Sequence, residues 1–526
     1  MSAISSPKTA SANVSETSVA LRLAGITKQF GPLVANAHID LDLYRGEILA
    51  LLGENGAGKT TLMNILFGHY VADAGKVLVA GGDGNLTPLE PGSPHAALAA
   101  GIGMVHQHFT LAENLSGLEN IVLGTEPILR LRRGTGSARR KVEALIKDSR
   151  LAVELDTQVS RLSVGEKQRV EILKALYRDA RVLVMDEPTA VLTPLESEGL
   201  FQTVRALAAR GLAVVFISHK LGEVLAVSDR IAVLRNGRKI GEIATKDADR
   251  RQIAEMMVGR EIPASRRPPR APGAIVLALD GVTVAGDGAR NTLAATTLTI
   301  REGEIVGVAG VSGNGQAALA ALLAGLAKPA AGIMQIFGEP VRRHDPGSFA
   351  RAGIARIPED RHHDGVVGAM SVAENVAIED LREPRFQQSG FLRFGAIRAR
   401  AEAAIRDYDV RCQGPEAPAR LLSGGNIQKL ILARVLDRAP RLVLANQPTR
   451  GLDIGAQTEV HRRLLAARQA GAGILLISED LDELLTLSDR VAVMASGRLS
   501  EAQPTESLNR GTLGMMMAGH YEDEAA

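Results

Sequence analysis

Gly53 to Thr61 reads GENGAGKTT. Glycines at that spacing let successive backbone N–H groups curl around phosphate oxygens, and a helix opening at Thr60 aims its positive end at the same anion. Lys59 is placed to reach the outer phosphates of a nucleotide, and the Thr60 hydroxyl to ligate magnesium. Glu54, Asn55, Gly56, Ala57, Gly58 and Thr61 complete the cradle. Asp186 closes the apolar run in VLVMDEPT, where its carboxylate can hold magnesium through water, and Glu187 follows as a candidate general base. Taken alone, that acidic pair reads equally well as the cap of the next helix. His219 ends VVFISH and suits a sensor of the terminal phosphate. Gln107 in GMVHQHF follows another apolar run and suits magnesium or the attacking water; His106 and His108 beside it fit surface histidines. Ser423, Gly424 and Gly425 in LLSGGNIQ open a long apolar helix, a second phosphate cradle that is weak evidence by itself.

The elements that must carry these residues follow a short rule. EILALLGENGAGKTTLMNILFG is a buried apolar strand, a glycine loop and a helix; RVLVMDE and AVVFISH are β-branched runs ending in polar residues. Continuously apolar strands alternating with helices predict an α/β fold whose sheets are mostly parallel and covered on both faces.

The pattern occurs twice. SDRIAVLRNGR at Ser228 recurs as SDRVAVMASGR at Ser488, and the same displacement relates Ser163 to Ser423, Asp186 to Asn446, His219 to Glu479, and Gly259 to Gly519. The chain is a tandem duplication. Its expected organisation is a polar tail over 1–20, a first domain over 21–260, a proline- and arginine-rich linker over 261–273, and a second domain over 274–526. The second copy of the phosphate loop, GVSGNGQA, carries Gln316 and Ala317 in place of Lys59 and Thr60, while Asn446 and Gln447 replace Asp186 and Glu187. Asn and Gln keep the shape of the acids without the charge that neutralises a metal or accepts a proton.

Composition narrows the function further. The 526 residues carry a net charge of +2, which argues against a dedicated nucleic-acid binder, and the single cysteine, Cys412, excludes a disulfide framework. The N-terminus lacks the apolar core of a signal peptide, and the richest apolar stretch, residues 317–327, is too short to span a bilayer. The expectation is a cytoplasmic protein whose membrane role comes only through partners.

The ordered set GENGAGKTT, VHQHF, LSVGEKQRVEILKAL, VMDEPT and FISH resembles the ABC-type ATPase domain, and residues 21–520 resemble the tandem ATP-binding subunits of simple-sugar and nucleoside importers. MVHQHFTLAENLSGLENIVLG, DEPTAVLTPLE and QPTRGLD sit closest to the purine-nucleoside (basic membrane protein) branch. The resemblance implies ATP and Mg2+ as cofactors, with two membrane permease subunits and an extracytoplasmic substrate-binding protein as partners. It implies no nucleic acid, and it places the chain peripherally on the cytoplasmic face of the membrane. Head-to-tail pairing of such domains implies that Ser423, Gly424, Gly425 and Asp453 complete the site built on Lys59. The degenerate loop then faces LSVGE, where Val164 replaces a glycine, and Thr193 stands where Asp453 does. Phe30 occupies the family's position for an aromatic on adenine, with Gly286 its counterpart. The resemblance thus implies two tandem domains with one hydrolytic site; the rival, a soluble tandem ATPase acting on ribosomes or DNA, calls for two complete sites and a basic surface.

Overall fold

The computed structural model describes residues 18–82, 84–106, 109–125, 135–149, 151–189, 192, 194–218, 220–259, 267–286, 288, 291–311 and 313–517. Gln107, His108, His219 and Thr193, together with residues 1–17 of the expected tail and the first part of the linker, lie outside the described residues, while Val19 and Ala20, expected in the tail, already belong to the strand Val19–Phe30. The chain forms two compact units, Met1–Ile262 and Pro263–Ala526.

In the first unit the parallel sheet runs, edge to edge, through Ile102–Val105, Val182–Asp186, Ala213–Ile217, Ile48–Leu52 and Arg230–Arg235, with Arg238–Ala244 added antiparallel. Ile48–Leu52 and Ala213–Ile217 are buried at every position, which is why they read as unbroken apolar runs rather than alternating ones. One face packs on a four-stranded antiparallel sheet formed by Leu33–Tyr44, Val19–Phe30, Ala74–Ala80 and Leu86–Pro88. The other face is covered by the helices Gly117–Val122, Thr135–Ser149, Val164–Tyr177 and Pro194–Ala208. Parallel strands place their C-terminal ends together, and the crevice beyond those ends is where such sheets bind ligands.

The second unit repeats this plan. Ile354–Ile357, Leu442–Asn446, Gly473–Ser478, Ile305–Ala309 and Arg490–Ala495 form its parallel core, and Leu293–Arg301, Ile275–Val284 and Ala331–Ile336 its antiparallel sheet. Registers match across the units: Asp186 pairs with Ile217 as Asn446 pairs with Ile477. In both units a Ser-x-x-Glu capping box starts the helix after the sheet edge, Ser116 with Glu119 and Ser371 with Glu374.

Residues 267–273, expected within the linker, are irregular in backbone and lie against the second unit. Arg468, only 1% exposed, pairs with Asp489 at 2.7 Å and donates to the Pro268 carbonyl at 2.8 Å, while the Gly273 amide donates to the Glu302 carbonyl at 2.8 Å. A buried guanidinium requires such partners, so its need for acceptors holds this stretch in place.

Candidate functional site

The first phosphate loop is shaped by glycine where no other residue fits. Gly58 has φ of +98°, and a Cβ there would stand 2.2 Å from the Ala35 carbonyl oxygen; at Gly53 a Cβ would stand 2.5 Å from that of Leu234. Gly58 caps the helix Lys59–Leu66 without a side-chain hydrogen bond, and the positive end of that helix opens onto the loop, the end that favours an anion. Ala57 is buried and anchors the loop, whereas Asn55, Gly56 and Thr60 face outward and Glu54, Lys59 and Thr61 are half-buried. The Lys59 ammonium lies back across the loop, donating to the carbonyls of Gly53 at 2.6 Å and Glu54 at 3.1 Å.

Asp186 ends its strand beside this loop. Burial and the neighbouring charge of Glu187 push its carboxyl above the usual carboxylate range, against the opposing pull of Lys59 and His106. That mutual influence brings Lys59, Asp186, Glu187 and His106 to one place. Glu187 itself has φ of +46°, a left-handed conformation that costs a non-glycine residue about 1–3 kcal/mol. Its amide donates to the Ile217 carbonyl at 2.9 Å, so the neighbouring strand holds the turn. Past Gln107, the chain is anchored by Thr110, whose amide and hydroxyl donate to the buried Glu171 carboxylate at 2.7 and 3.0 Å.

Phe30 stands at the end of the strand Val19–Phe30 and is 43% exposed, on the surface rather than in the core. Its ring meets Tyr70 edge-on at 5.6 Å, and Lys28 lies over it at 5.4 Å.

In the second unit the same backbone carries different chemistry. Gly313 and Gly315 take φ of +95° and +111°, and Gly315 caps Gln316–Leu323. The Gln316 amide is spent inside the loop: its oxygen accepts from the Asn314 amide at 3.1 Å and its nitrogen donates to the Val311 carbonyl at 2.9 Å. Asn446 and Gln447 occupy the places of Asp186 and Glu187, and Gln447 keeps the left-handed turn at φ of +49° with its amide bonded to the Ile477 carbonyl. An aromatic cannot stand at Gly286, where a Cβ would lie 2.2 Å from the Asn291 carbonyl oxygen.

Sequence reasoning missed Glu359. Ile354 pairs with Leu442 as Ile102 pairs with Val182, so counting on from the strand puts Glu359 where the first half has Gln107. Its carboxylate is ion-paired with Arg450, the arginine of QPTRGLD.

The two serine-glycine helix starts also differ. Ser163 donates its hydroxyl proton to Glu166 at 2.7 Å, within a reciprocal capping box, and these bonds hold the Glu166 carboxyl below its usual range. Ser423 instead accepts from the Asn426 side chain at 2.8 Å, and the first turn of Gly424–Leu436 has no acid. Ser163 therefore points its proton at a carboxylate, whereas among the described residues the Ser423 hydroxyl has no such carboxylate beside it. The unit's own packing does not require glycine at 424 or 425, where a Cβ would meet its nearest atoms at 3.8 and 3.5 Å. Val164, at the position of Gly424, is 38% exposed. Asp453 caps the helix Ile454–Ala470, accepting from the Ala456 amide at 2.8 Å.

The model of the ABC transporter family matches residues 37–190 and 293–450. Among curated proteins, the chain is similar to the glucose import ATP-binding protein of Haloferax volcanii, 43% identical with 95% of this chain and 96% of that protein covered. The nucleoside import ATP-binding protein of Lactococcus lactis is 41% identical, covering 95% and 98%. The guanosine import ATP-binding protein of Bacillus subtilis is 40% identical, covering 96% and 98%. Among solved structures, the archaeal ribosome recycling factor in complex with ribosomal stalk protein aP1 superposes with a TM-score of 0.61 at 19% identity, covering 91% of this chain and 90% of that one, a likeness of fold alone.

Proposed function

The chain belongs to the ABC transporter family of tandem ATP-binding subunits, and on that premise we propose a division of labour in which the first half hydrolyses ATP and the second completes its site. It is the ATP-binding, energy-coupling subunit of a sugar or nucleoside importer. The observation that carries the division is the gathering of Lys59, Asp186 and Glu187 at one sheet end of the first unit, set against Gln316, Asn446 and Gln447 in the second.

In this reading the phosphate loop Gly53–Thr61 binds the phosphates, Phe30 carries the adenine, Glu187 takes the proton of the attacking water, and His219 senses the terminal phosphate. Ser423, Gly424 and Gly425 supply the hydroxyl and amides that close on that phosphate, and Asp453 serves the same site; the acid-free first turn after Ser423 supports this. The domains are taken as 21–260 and 274–526. Magnesium fits the residues present. Among the described residues no group of three or more His, Cys, Asp or Glu side chains is arranged to hold a metal. The unfavourable Asp186–Glu187 charge pair is what a cation would offset. Thr60, Gln107 and Asp186 would hold it, and it would supply charge neutralisation on the outer phosphates.

The partners are two membrane permeases and an extracytoplasmic substrate-binding protein, with the chain peripheral on the cytoplasmic face and reaching the membrane only through the permeases. No helix among the described residues is long and apolar enough to cross a membrane, which supports that placement. Nucleosides are the proposed cargo: the motif likeness to the purine-nucleoside branch and the nucleoside and guanosine relatives support them, while the glucose relative at 43% identity defines the competing cargo. Ligand binding by the cognate substrate-binding protein tests this, with guanosine or inosine expected to bind and glucose not; the reverse result overturns it. ATP turnover by the full chain tests the division, with Glu187→Gln expected to lower it at least about 100-fold and Gln447→Ala to leave it intact.

A further inference from the structure

We infer that Glu223 is a positioning residue for hydrolysis in the first half: its carboxylate ties the turn carrying Glu187 to the end of the neighbouring strand. Glu223 lies in the first turn of the short helix Leu221–Val227, with its side chain 13% exposed. One of its oxygens, Oε2, accepts from the Thr189 hydroxyl at 2.6 Å and from the Ser218 hydroxyl at 2.9 Å. The other oxygen lies 3.3 Å from the Lys220 ammonium. Thr189 and Ser218 are 2% and 3% exposed, so these bonds are shielded from water. Ser218 in turn accepts from the Lys220 amide at 3.1 Å, which closes the chain back on itself beyond the strand.

The tie matters because of what lies between its ends. Glu187 stands two residues before Thr189 in a left-handed conformation, and strained residues persist only where their surroundings over-determine them. The amide bond from Glu187 to Ile217 holds one side of the turn, and the Thr189–Glu223–Ser218 bridge holds the other. A general base works only at hydrogen-bond reach of its proton, so the position of this turn is a condition of turnover.

The second half keeps the acid but points it elsewhere. Glu483 occupies the matching place, 2% exposed, and accepts from Ser478 at 2.6 Å, but its other oxygen meets His461 at 3.0 Å. His461 belongs to the helix Ile454–Ala470, so there the bridge braces strand against helix. The residue of the first half that corresponds to His461 is Phe201, which packs edge-on against Phe216 and offers no polar partner. Among the described residues, the bridge reaches the adjoining turn, through Thr189, in the first half alone.

This inference rests on Glu187 being the base. The test is steady-state ATP hydrolysis by the full chain for Thr189→Val, Glu223→Ala, Glu223→Gln and the double change Thr189→Val/Glu223→Ala, with Glu187→Gln alongside. Thr189→Val and Glu223→Ala are each expected to lower kcat about 10- to 100-fold, the cost of misplacing a reacting group by about an ångström, with KM for ATP within about twofold because the phosphate loop is untouched. The double change is expected to be no worse than either single one, since both break the same tie. Glu223→Gln, which keeps an oxygen acceptor, recovers most of kcat; a merely structural residue would move thermal stability without that split or that rescue. Wild-type kcat in Thr189→Val and Glu223→Ala, or losses that multiply in the double variant, overturn the inference. If Glu223→Ala does not fold, Thr189→Val and Glu223→Gln decide it. Activity surviving Glu187→Gln overturns the base assignment itself, whereas its loss there with full rates in the other variants overturns the positioning role alone.

Discussion

Lys59 and Gln316 take the first helical position after two loops of matching shape, with φ of +84° and +98° at Gly56 and Gly58 against +95° and +111° at Gly313 and Gly315. Gln447 even retains the left-handed turn of Glu187, bonded to the neighbouring strand in the same way. What differs is the chemistry the loops carry: the charges of Lys59, Asp186 and Glu187 and the hydroxyl of Thr60 give way to Gln316, Asn446, Gln447 and Ala317. Fold in these loops is held by glycine, strand pairing and burial, none of which needs the lysine or the acids, so charge can be lost while shape persists. Losing it also relieves a cost: a buried acid beside another acid is unfavourable, and Asn446 is the neutral answer to Asp186.

The widest separation between the halves is expected at the acids. Glu187→Gln should lower ATP turnover about 10²- to 10⁴-fold, the usual worth of a general base, while Gln447→Ala leaves it within twofold of wild type. Measured turnover that falls equally in both would dissolve the distinction. Next comes the loop: Lys59→Ala removes a preorganised cation from the phosphates and is expected to cost about 10²- to 10³-fold, with Gln316→Ala close to neutral in the same assay. A smaller step separates the serines. Ser423→Ala should slow turnover about tenfold, the loss of one hydrogen bond of about 1.5 kcal/mol to a charged group, whereas Ser163→Ala should alter helix stability rather than rate. Phe30→Ala should raise KM for ATP about two- to tenfold, as fits one stacking contact, and fluorescence binding of a nucleotide analogue would register it.

The last comparison concerns stability and its pH dependence. Because the Asp186 carboxyl is raised in the folded protein, the native state holds its proton more tightly than the unfolded chain does. Its contribution to stability therefore falls as pH rises from the ordinary carboxylate value through the raised one, and the penalty is complete above that. Asp186→Asn, the natural state of the second half, should raise the Tm of the nucleotide-free chain at neutral pH, with the gain vanishing at pH below about 4. A gain that persists unchanged into acid would point to packing rather than charge.

Much of the fold was legible because parallel strands buried on both faces leave unbroken apolar runs, and VLVMDE, AVVFIS and EILALL announced them along with the polar residues at their ends. The antiparallel sheet was not legible. Val19–Phe30 pairs with Leu33–Tyr44 through several register shifts, so its apolar residues follow no clean alternation. The site was legible in part. Lys59, Asp186 and Glu187 come together as their motifs suggest, but Glu359 was hidden because EDRHH shares no residue pattern with VHQHF, and only strand pairing aligns them. Glu166 and Asn426 were visible in the sequence, but what each does to its serine was not.

By itself the sequence determined that the chain is duplicated, that each half is built around a strand, a glycine loop and a helix, and that one half lacks the charges for hydrolysis. Those conclusions depend on residue type and spacing, which are local. Tertiary structure decided the rest: which serine gives its proton to a carboxylate, that Phe30 is a surface ring, that Gly286 has no room for one, and that Glu223 reaches Thr189 across a turn. Each of these depends on which strands lie side by side and which groups burial forces to pair, and that is set by packing between segments distant in the chain.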